Sequence, residues 1–269
     1  LGAPPELVTV TGNTKFDQTY TDITENEKKI LREEMGLANC EMILLAGSTH
    51  NGEEEVIFKS FSRIRERFPK VKLIIAPRNI MRADEIVDLA QHYHFRASKR
   101  TALKEKLTNQ HDIVILDTIG ELGKIYGVGD IVYVGGSLVS HGGHNILEPA
   151  AHGKAIIVGP NMFNFKDTYA LFSARKACLT VKNAEDLTQA VLRLLEQPEA
   201  KKAMEDETLS IVRENQGASR KSAVILREVL EEYKRKSTVH NINKSDDIIE
   251  NIQSYLYKLV HGETKGIIA

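Results

Sequence analysis

The amino-acid sequence predicts an α/β fold with a doubly wound parallel sheet. Six short runs of β-branched and aliphatic residues recur along the chain, and amphipathic segments with helical spacing separate most of them. Continuous apolar runs are typical of strands that are covered on both faces, as they are in parallel sheets. The runs are residues 42–46, 71–76, 112–116, 130–134, 155–158 and 178–181.

The segments between and after these runs predict helices. Apolar residues recur there every three or four positions, and the pattern continues to residue 236 with leucine, lysine and glutamate. The predicted helices are 52–68, 81–93, 145–152, 166–173 and 184–196. Strands that alternate with helices favour right-handed crossovers and a Rossmann-like arrangement.

The two ends of the chain are predicted to lie outside this sheet. Residues 7–11 have the pattern of a strand, and 1–23 are predicted to form an interdomain strand and hinge. Residues 24–236 are predicted to form the Rossmann-like domain. Residues 237–269 are predicted to contain a linker and an amphipathic C-terminal helix, because apolar residues from 248 to 260 fall at helical spacing.

Composition and charge exclude several classes of protein. The 36 Lys and Arg residues nearly balance 37 Asp and Glu residues, so bulk charge gives no attraction to nucleic acid or to an anionic membrane. Cys40 and Cys178 lie far apart and form no disulfide or metal motif. No apolar run approaches the ~18 residues of a membrane-spanning helix. The chain begins at Leu1, and we expect a soluble piece of a longer polypeptide.

Glycine and polar residues are concentrated just after the predicted strands, at the sheet edge where open α/β sheets bind ligands. The segment 135–149 has four glycines and then a helix start, which offers backbone N–H groups to an anion. Glu148 follows in that helix, where a carboxylate can accept both hydroxyls of a ribose. These features predict a nucleotide-binding loop. Similar segments are 47–52, 77–79, 117–121 and 159–161.

Six motifs in order resemble the C-terminal half of the Kdo (3-deoxy-D-manno-octulosonic acid) transferases. These are GT-B glycosyltransferases of lipid A–core assembly. The motifs are GNTKFD at 12–17, GSTHNGEE at 47–54, PR at 77–78, DTIGEL at 117–122, GGSL with GGHNILE at 135–148, and GPNMFNFKD at 159–167.

The resemblance implies a C-terminal, Rossmann-like GT-B domain that binds CMP-Kdo as donor substrate and uses no cofactor. Three stretches hold the cytidine nucleotide in that family. Here they correspond to Pro77-Arg78, Ile119-Gly120-Glu121 and Asn145-Ile146-Leu147-Glu148. The family pattern predicts a histidine after the Pro-Arg pair, where this chain has Asn79.

The resemblance also implies that catalysis needs another half. The catalytic carboxylate and the surface for the lipid A precursor belong to an N-terminal domain that would precede Leu1, so we expect no catalytic residue in this chain. The full-length protein is expected at the cytoplasmic face of the bacterial inner membrane, with membrane contact only through that protein. Residues 15–17 resemble the hinge into the second domain. Residues 255–266 resemble the opening of the lipid A 4′-kinases, with a closing helix as the alternative.

Several candidate residues keep both a functional and a structural interpretation. Glu148 can bind ribose or complement a helix dipole. Arg78 can bind phosphate or the cytosine carbonyl, or pair with a surface glutamate. Gly142 and Gly143 can admit a phosphate or form an unliganded turn. Asn145 resembles an N-cap that also serves the ligand.

Two further side chains are candidates near the cleft. Ser48, with Thr49 and His50, can bind the donor or acceptor, and a helix cap at Ser48 or Thr49 is the alternative. Lys166, by resemblance, meets the donor carboxylate or the leaving phosphate, and a solvated helix lysine is the alternative. His141 and His144 share the glycine loop, but no third partner has ligand spacing, so no metal site is predicted.

Two other functions stay open at this point. One is a UDP-sugar GT-B transferase, or a related UDP-N-acetylglucosamine 2-epimerase, which shares a Gly-Asn turn and a sugar-nucleotide sheet. The other is a non-catalytic nucleotide-binding module. The sequence has no GxGxxG after its first strand, no Walker motif and no GxSxG elbow, which disfavours NAD sites, ATP sites and hydrolases.

Overall fold

A computed structural model describes residues 4–5, 8–18, 20, 23–103 and 111–238. Its strands form one parallel sheet. They are β1 Ile43–Thr49, β2 Lys72–Pro77, β3 Ala97–Lys99, β4 Ile113–Ile115, β5 Ile131–Val134, β6 Ala155–Val158 and β7 Cys178–Thr180.

Helices connect the strands and follow the last one. They are α1 Glu25–Glu34, α2 Glu53–Arg67, α3 Ala83–His92, α4 Arg100–Leu103, α5 Leu122–Ile125, α6 Leu147–Ala151, α7 Lys166–Ala174, α8 Ala184–Glu196, α9 Pro198–Asn215 and α10 Ala218–Thr238. Short 3-10 helices lie at Thr14–Asp17, Ile80–Arg82 and Phe163–Phe165.

The order of the strands creates a point where the chain changes direction across the sheet. The order is β3-β4-β2-β1-β5-β6-β7, with β1 paired in parallel with both β2 and β5. The chain runs outward from β1 on one side and then returns to the other side at β5. Open α/β sheets bind ligands at the carboxyl ends of the strands beside such a switch point. The predicted doubly wound, Rossmann-like fold is confirmed.

All six apolar runs contain a strand, and the five predicted helical segments each contain a helix within about two residues of the expected ends. The strands β5 and β6 are buried at every position, as expected for a sheet covered on both faces. The edge strand β3 was not predicted, because its Ala-Ser-Lys sequence is only partly buried and has no apolar pattern. The short helices α4 and α5 also lacked a sequence signal.

The predicted strand at 7–11 is wrong for its described residues. Residues 8–11 form no strand, and Val8 and Val10 are 55% and 90% exposed. A β-branched run forms a strand only where a neighbouring strand satisfies its backbone groups, and the described residues supply no such neighbour here. Leu7, the linker at 239–245 and the C-terminal helix predicted within 248–260 lie outside the described residues.

The chain divides into two compact units. One is Tyr20–Val212, which contains the sheet. The other contains the described residues of 1–19 and of 213–269. In this second unit Asp17 caps α10, since its carboxylate accepts hydrogen bonds from the backbone N–H groups of Gly217 at 2.5 Å and Ser219 at 2.6 Å.

Gly135 lies where β5 approaches the end of β1. Its N–H donates to the carbonyl oxygen of Gly47 at 2.8 Å. A Cβ added at Gly135 would lie 2.3 Å from the carbonyl oxygen of Ser48 and 2.7 Å from the Cα of Thr49. Both are backbone atoms of the neighbouring strand, so they cannot move aside without disturbing the sheet.

We expect Gly135→Ala to lower the free energy of unfolding by about 1–3 kcal/mol, the usual range for an overpacked site. Urea denaturation followed by circular dichroism measures the change. The control is Ser140→Ala at an exposed position of the same loop, which we expect to stay within about 0.5 kcal/mol of the parent chain. Equal stability of both variants would contradict the crowding at Gly135.

Candidate functional site

Glu53 anchors the glycine loop at the switch point. It is the first residue of α2, and its side chain is fully buried. Its carboxylate accepts five hydrogen bonds from the two strands that flank the switch point and the loops that follow them. The donors are the N–H groups of Gly136 at 2.7 Å, Ser137 at 3.1 Å, Leu138 at 3.0 Å and His50 at 2.9 Å, and the Tyr133 hydroxyl at 2.6 Å.

Several backbone N–H groups of the glycine loop therefore already have hydrogen-bond acceptors within the protein. The sequence suggested that its N–H groups are open to an anion, but residues 136–138 donate to Glu53. The N–H of Gly143 donates to the carbonyl oxygen of Gly136 at 2.8 Å, which is a contact of the turn interpretation. Gly142 and Gly143 both adopt positive φ, at 88° and 75°. The two glycines thus shape the loop whether or not they also meet a ligand.

Three histidines meet beside this loop. The Nε2 atoms of His50 and His144 lie 2.8 Å apart, and the rings of His50 and His141 stack with centroids 4.1 Å apart. Gly136 gives them room, since a Cβ there would lie 3.1 Å from Cδ2 of His144. The sequence analysis missed His50 as the third partner, because it is 94 residues from His144 and no spacing rule connects them.

Burial holds the two facing imidazoles in their neutral form. It lowers the pKa of His144 to about 4, and positive neighbours add to the effect. Burial and the neighbouring His141 also lower the pKa of His50. Across the part of the chain that the structure describes, no group of three or more His, Cys, Asp or Glu side chains is arranged to hold a metal ion.

Glu148 is at the centre of a second cluster. It lies in the first turn of α6 and is half-buried, and burial raises the pKa of its carboxyl. The Asn145 amide donates to Glu148 at 3.3 Å and accepts from the N–H of Leu147 at 3.0 Å. The N-cap of α6 is Ile146, which makes no side-chain capping bond, so the prediction of Asn145 as the N-cap is wrong. Asn145 instead contacts the first residue of α6 and the Glu148 carboxylate.

Two tyrosines complete this second cluster. The hydroxyl of Tyr20 is hydrogen-bonded to Asn145, and burial raises the pKa of Tyr20 to about 12. Tyr126 is fully buried, with a pKa raised by burial and by the charge of Glu148. Neither tyrosine was predicted, because their contacts come from distant parts of the chain.

Ser48 joins the cluster through Tyr126. The two hydroxyls are hydrogen-bonded, and Ser48 has a left-handed backbone with φ of 56°. The helix that follows it, α2, has Gly52 at its N-cap and no side-chain capping bond, so Ser48 does not serve as that cap. The structure brings Ser48, Asn145 and Glu148 together.

Arg78 lies at the same edge. Its backbone N–H donates to the carbonyl oxygen of Thr49 at 2.9 Å, and Pro77 ends β2 beside Thr49 in the sheet register. Its charge helps to lower the pKa of both His50 and His144, so Arg78 lies near enough to act electrostatically on the histidine cluster. Arg78 is exposed and forms no ion pair with a described carboxylate, which disfavours the surface-pair interpretation.

The residue after this pair has a local role. The side chain of Asn79 accepts a hydrogen bond from the N–H of Met81 at 3.1 Å, and so begins the 3-10 helix Ile80–Arg82. The next turn is fixed by Arg82, which bonds to the buried carboxylate of Glu54 at 2.9 Å. Asn79 therefore has a local structural role at the position where the family pattern predicts a histidine.

Residues 119–121 lie at the same sheet edge, after β4, but outside both clusters. The Glu121 carboxylate accepts from the Thr118 hydroxyl at 2.6 Å and lies 3.5 Å from Nε of Arg100. Ile119 is 85% exposed. Among the described residues, no hydrogen bond or ion pair joins this stretch to Glu148 or to the histidines.

The remaining candidates differ in exposure. The side chains of Ile146 and Leu147 are buried in the core, so a ligand could reach only their backbone atoms. Lys166 is exposed at the first position of α7, after β6. Its contact with the donor stays a prediction.

The comparison with known proteins decides the family. The family model described as glycosyl transferases group 1 matches residues 49–209, which include the histidine cluster, Glu148 and most of the sheet. The chain belongs to this family. In the part that the structure describes, no helix of this glycosyltransferase chain combines the length and apolar character needed to cross a membrane.

Two relatives of this glycosyltransferase chain show which kinds of transferase it is similar to. A 3-deoxy-D-manno-octulosonic acid transferase of Haemophilus influenzae is 36% identical over 233 residues, which are 86% of this chain and 54% of that protein. A bifunctional glycosyltransferase/methyltransferase of Fusobacterium nucleatum is 32% identical over 267 residues, 97% of this chain and 39% of that protein. The chain spans about half the length or less of these relatives. The resemblance to the Kdo transferases is confirmed, and that of the tail to lipid A 4′-kinases stays a prediction.

A solved structure agrees with the fold. The crystal structure of the C-terminal CMP-Kdo binding domain of WaaA from Acinetobacter baumannii is 27% identical, with a TM-score of 0.64. The match covers 70% of this chain and 96% of that domain. The predicted Rossmann-like C-terminal domain of a GT-B glycosyltransferase is therefore confirmed.

Proposed function

We propose that this chain is the donor-binding half of a glycosyltransferase that moves Kdo from CMP-Kdo to a lipid A precursor. The observation that carries the proposal is the convergence of Ser48, Arg78 and Glu148 on the carboxyl edge of the sheet at its switch point. The similarity to a domain that binds CMP-Kdo, over 96% of that domain, supports the donor.

Each site residue has a role in this proposal. Glu148 accepts the two ribose hydroxyls in charge-assisted hydrogen bonds, and Asn145, Ile146 and Leu147 position it. Arg78, behind Pro77, binds the phosphate or the cytosine carbonyl. The stretch Ile119-Gly120-Glu121 contacts the base. Ser48, Gly142, Gly143 and Lys166 lie toward the phosphate and the sugar.

The reaction is an inverting displacement at the anomeric carbon of Kdo. A base in the N-terminal half removes the proton of the lipid hydroxyl, whose oxygen forms the new bond as the bond to the phosphate oxygen breaks. The departing CMP keeps the electron pair. This chain stabilises that added negative charge with cationic side chains and helix N-termini, without a metal or cofactor.

The acceptor and the membrane belong to the other half in this proposal. The lipid A precursor contacts the N-terminal half, and the full-length protein acts at the cytoplasmic face of the inner membrane. We therefore expect the isolated chain to bind nucleotide without transferring sugar, and the full-length protein to transfer Kdo in the same assay.

Nucleotide preference tests the donor class. Isothermal titration calorimetry of the chain with CMP, UMP and UDP is expected to give an affinity for CMP at least tenfold higher, because base-edge contacts distinguish cytosine from uracil by about 1.4 kcal/mol or more. Tighter binding of UDP would instead favour a UDP-sugar transferase or a 2-epimerase-like domain. A chain that binds none of the three would contradict the proposal.

A further inference from the structure

The facing pair of imidazoles at the switch point has an unusual proton requirement. His50 and His144 lie with Nε2 atoms 2.8 Å apart, which is hydrogen-bonding distance. Such a bond needs one N–H and one lone pair, so these two atoms share a single proton. A second proton would place two N–H groups against each other and open the contact.

The surroundings keep the second proton away until an anion arrives. The described groups whose charges act most on the pair are cationic or neutral except for Glu53, which already accepts five hydrogen bonds. One of the cations, Arg82, is itself paired with Glu54 at 2.9 Å. Burial and these positive charges lower the pKa of both imidazoles. An incoming dianion would reverse this balance, because an opposite charge nearby favours the protonated form. The facing groups are Arg78, Arg82, Glu53 and His141.

The position of the pair is that of a ligand contact. His50 directly follows β1, and His144 precedes α6 in the loop after β5, so the pair bridges the two strands of the switch point. The backbone N–H of His50 donates a hydrogen bond to Glu53, which fixes the position of His50. Gly136 has no side chain and so leaves space for both imidazole rings. The imidazoles are therefore positioned by the loop that the proposed function assigns to the nucleotide.

We propose that the His50–His144 pair is a proton-coupled phosphate subsite. When a phosphate monoester binds, the pair takes one proton from solvent, the Nε2···Nε2 hydrogen bond opens, and both N–H groups donate to the phosphate. This inference rests on the proposed function, in which the leaving CMP changes from a phosphodiester monoanion to a monoester dianion. The added proton neutralises that added charge.

Calorimetry in two buffers measures the proton directly. Titration with CMP at pH 7.5 in buffers of low and high ionisation enthalpy is expected to show net uptake on the order of one proton for each CMP bound. At this pH the phosphate of CMP is mostly dianionic, since its second pKa is about 6, so it has almost no proton to release. The positive charge of Arg78 near the pair disfavours protonation of the bound phosphate, and the histidine variants below separate uptake by the imidazoles from uptake by the phosphate. Cytidine, which lacks the phosphate, is expected to show no uptake.

Variants of the two histidines test whether the imidazole pair takes up the proton. His144→Gln and His50→Gln are each expected to abolish the uptake and to weaken CMP binding about tenfold, the loss of one charge-assisted hydrogen bond. Thermal melting of both variants establishes that they are folded. The control is His92→Gln at an exposed position of α3, which is expected to keep both the uptake and the affinity.

The outcomes separate this inference from the proposed function. Tight CMP binding without proton uptake would overturn the inference alone, as would uptake that persists in both folded variants. A chain that binds no CMP would overturn both. Uptake that is lost in both variants and kept in the control supports the pair as the phosphate subsite.

Discussion

Replacing Glu148 with alanine is expected to weaken CMP binding at least tenfold while the chain stays folded. A carboxylate that accepts both ribose hydroxyls contributes about 1.5–3 kcal/mol for each charge-assisted hydrogen bond. Even partial compensation by water leaves a loss of about 1.4 kcal/mol, which is a factor of ten. Titration calorimetry of the variant with CMP gives the change in affinity.

The free energy of unfolding of Glu148→Ala is expected to equal or exceed that of the parent chain. Burial raises the pKa of the Glu148 carboxyl, so the folded chain favours the protonated form. At neutral pH the ionised group therefore lowers the free energy of unfolding, and this loss develops as pH rises through the pKa of the unfolded chain toward the raised value. Alanine removes that unfavourable term. We expect Asn145 to keep its hydrogen bond from the N–H of Leu147, at 3.0 Å, in the variant.

The matched control is Glu66→Ala, at an exposed position of α2 away from the carboxyl edge. We expect it to leave both CMP affinity and melting temperature unchanged. If Glu148→Ala bound CMP as tightly as the parent chain, Glu148 would be only a first-turn glutamate that complements the dipole of α6. The pair of measurements thus distinguishes a ligand contact from a helix-stabilising charge.

The sheet was predictable because burial on both faces leaves a visible mark in the sequence. Strands such as β5 and β6 are continuous apolar runs, and short runs of that kind between amphipathic helices are typical of buried parallel strands. The edge strand β3 has no such mark, since an edge position does not require full burial. Because the runs alternate with helices, the strands are expected to be parallel, and the carboxyl ends of parallel strands lie at one edge of the sheet.

The contents of the site were harder to predict than its location. Motifs that follow predicted strands placed Ser48, Arg78 and Glu148 at the carboxyl edge of the sheet, where the structure has them, and their contacts with a ligand stay predictions. The contacts of His50 with His144 and of Glu53 with Gly136 were not predicted, since these partners are 94 and 83 residues away. Pairing across such distances is fixed by the packing of β1 against β5, and no local pattern reports it.

Glu53→Ala is expected to have the largest effect on stability of any single change in the site. Glu53 is fully buried and serves five donors, four of them backbone N–H groups. A buried donor left without a partner costs about 1–3 kcal/mol, and water that enters the space left by the carboxylate recovers part of this. We expect a loss of about 4 kcal/mol in the free energy of unfolding, measured by urea denaturation.

Two further variants, Glu53→Gln and Glu55→Ala, test whether the lost hydrogen bonds of Glu53 cause the destabilisation. Glutamine keeps one oxygen for Tyr133, Ser137 and Leu138 but turns an amide N–H toward the donors of Gly136 and His50, so we expect a smaller loss. Glu55, two residues along α2, forms an exposed ion pair with Lys59, and its alanine variant is expected to change stability by less than about 1 kcal/mol. Hydrogen exchange adds the local test, because the amides of residues 136–138 should lose protection in Glu53→Ala before those of β5 do. Unchanged protection there, together with a loss below about 1 kcal/mol, would mean that the loop is held by the sheet and not by this carboxylate.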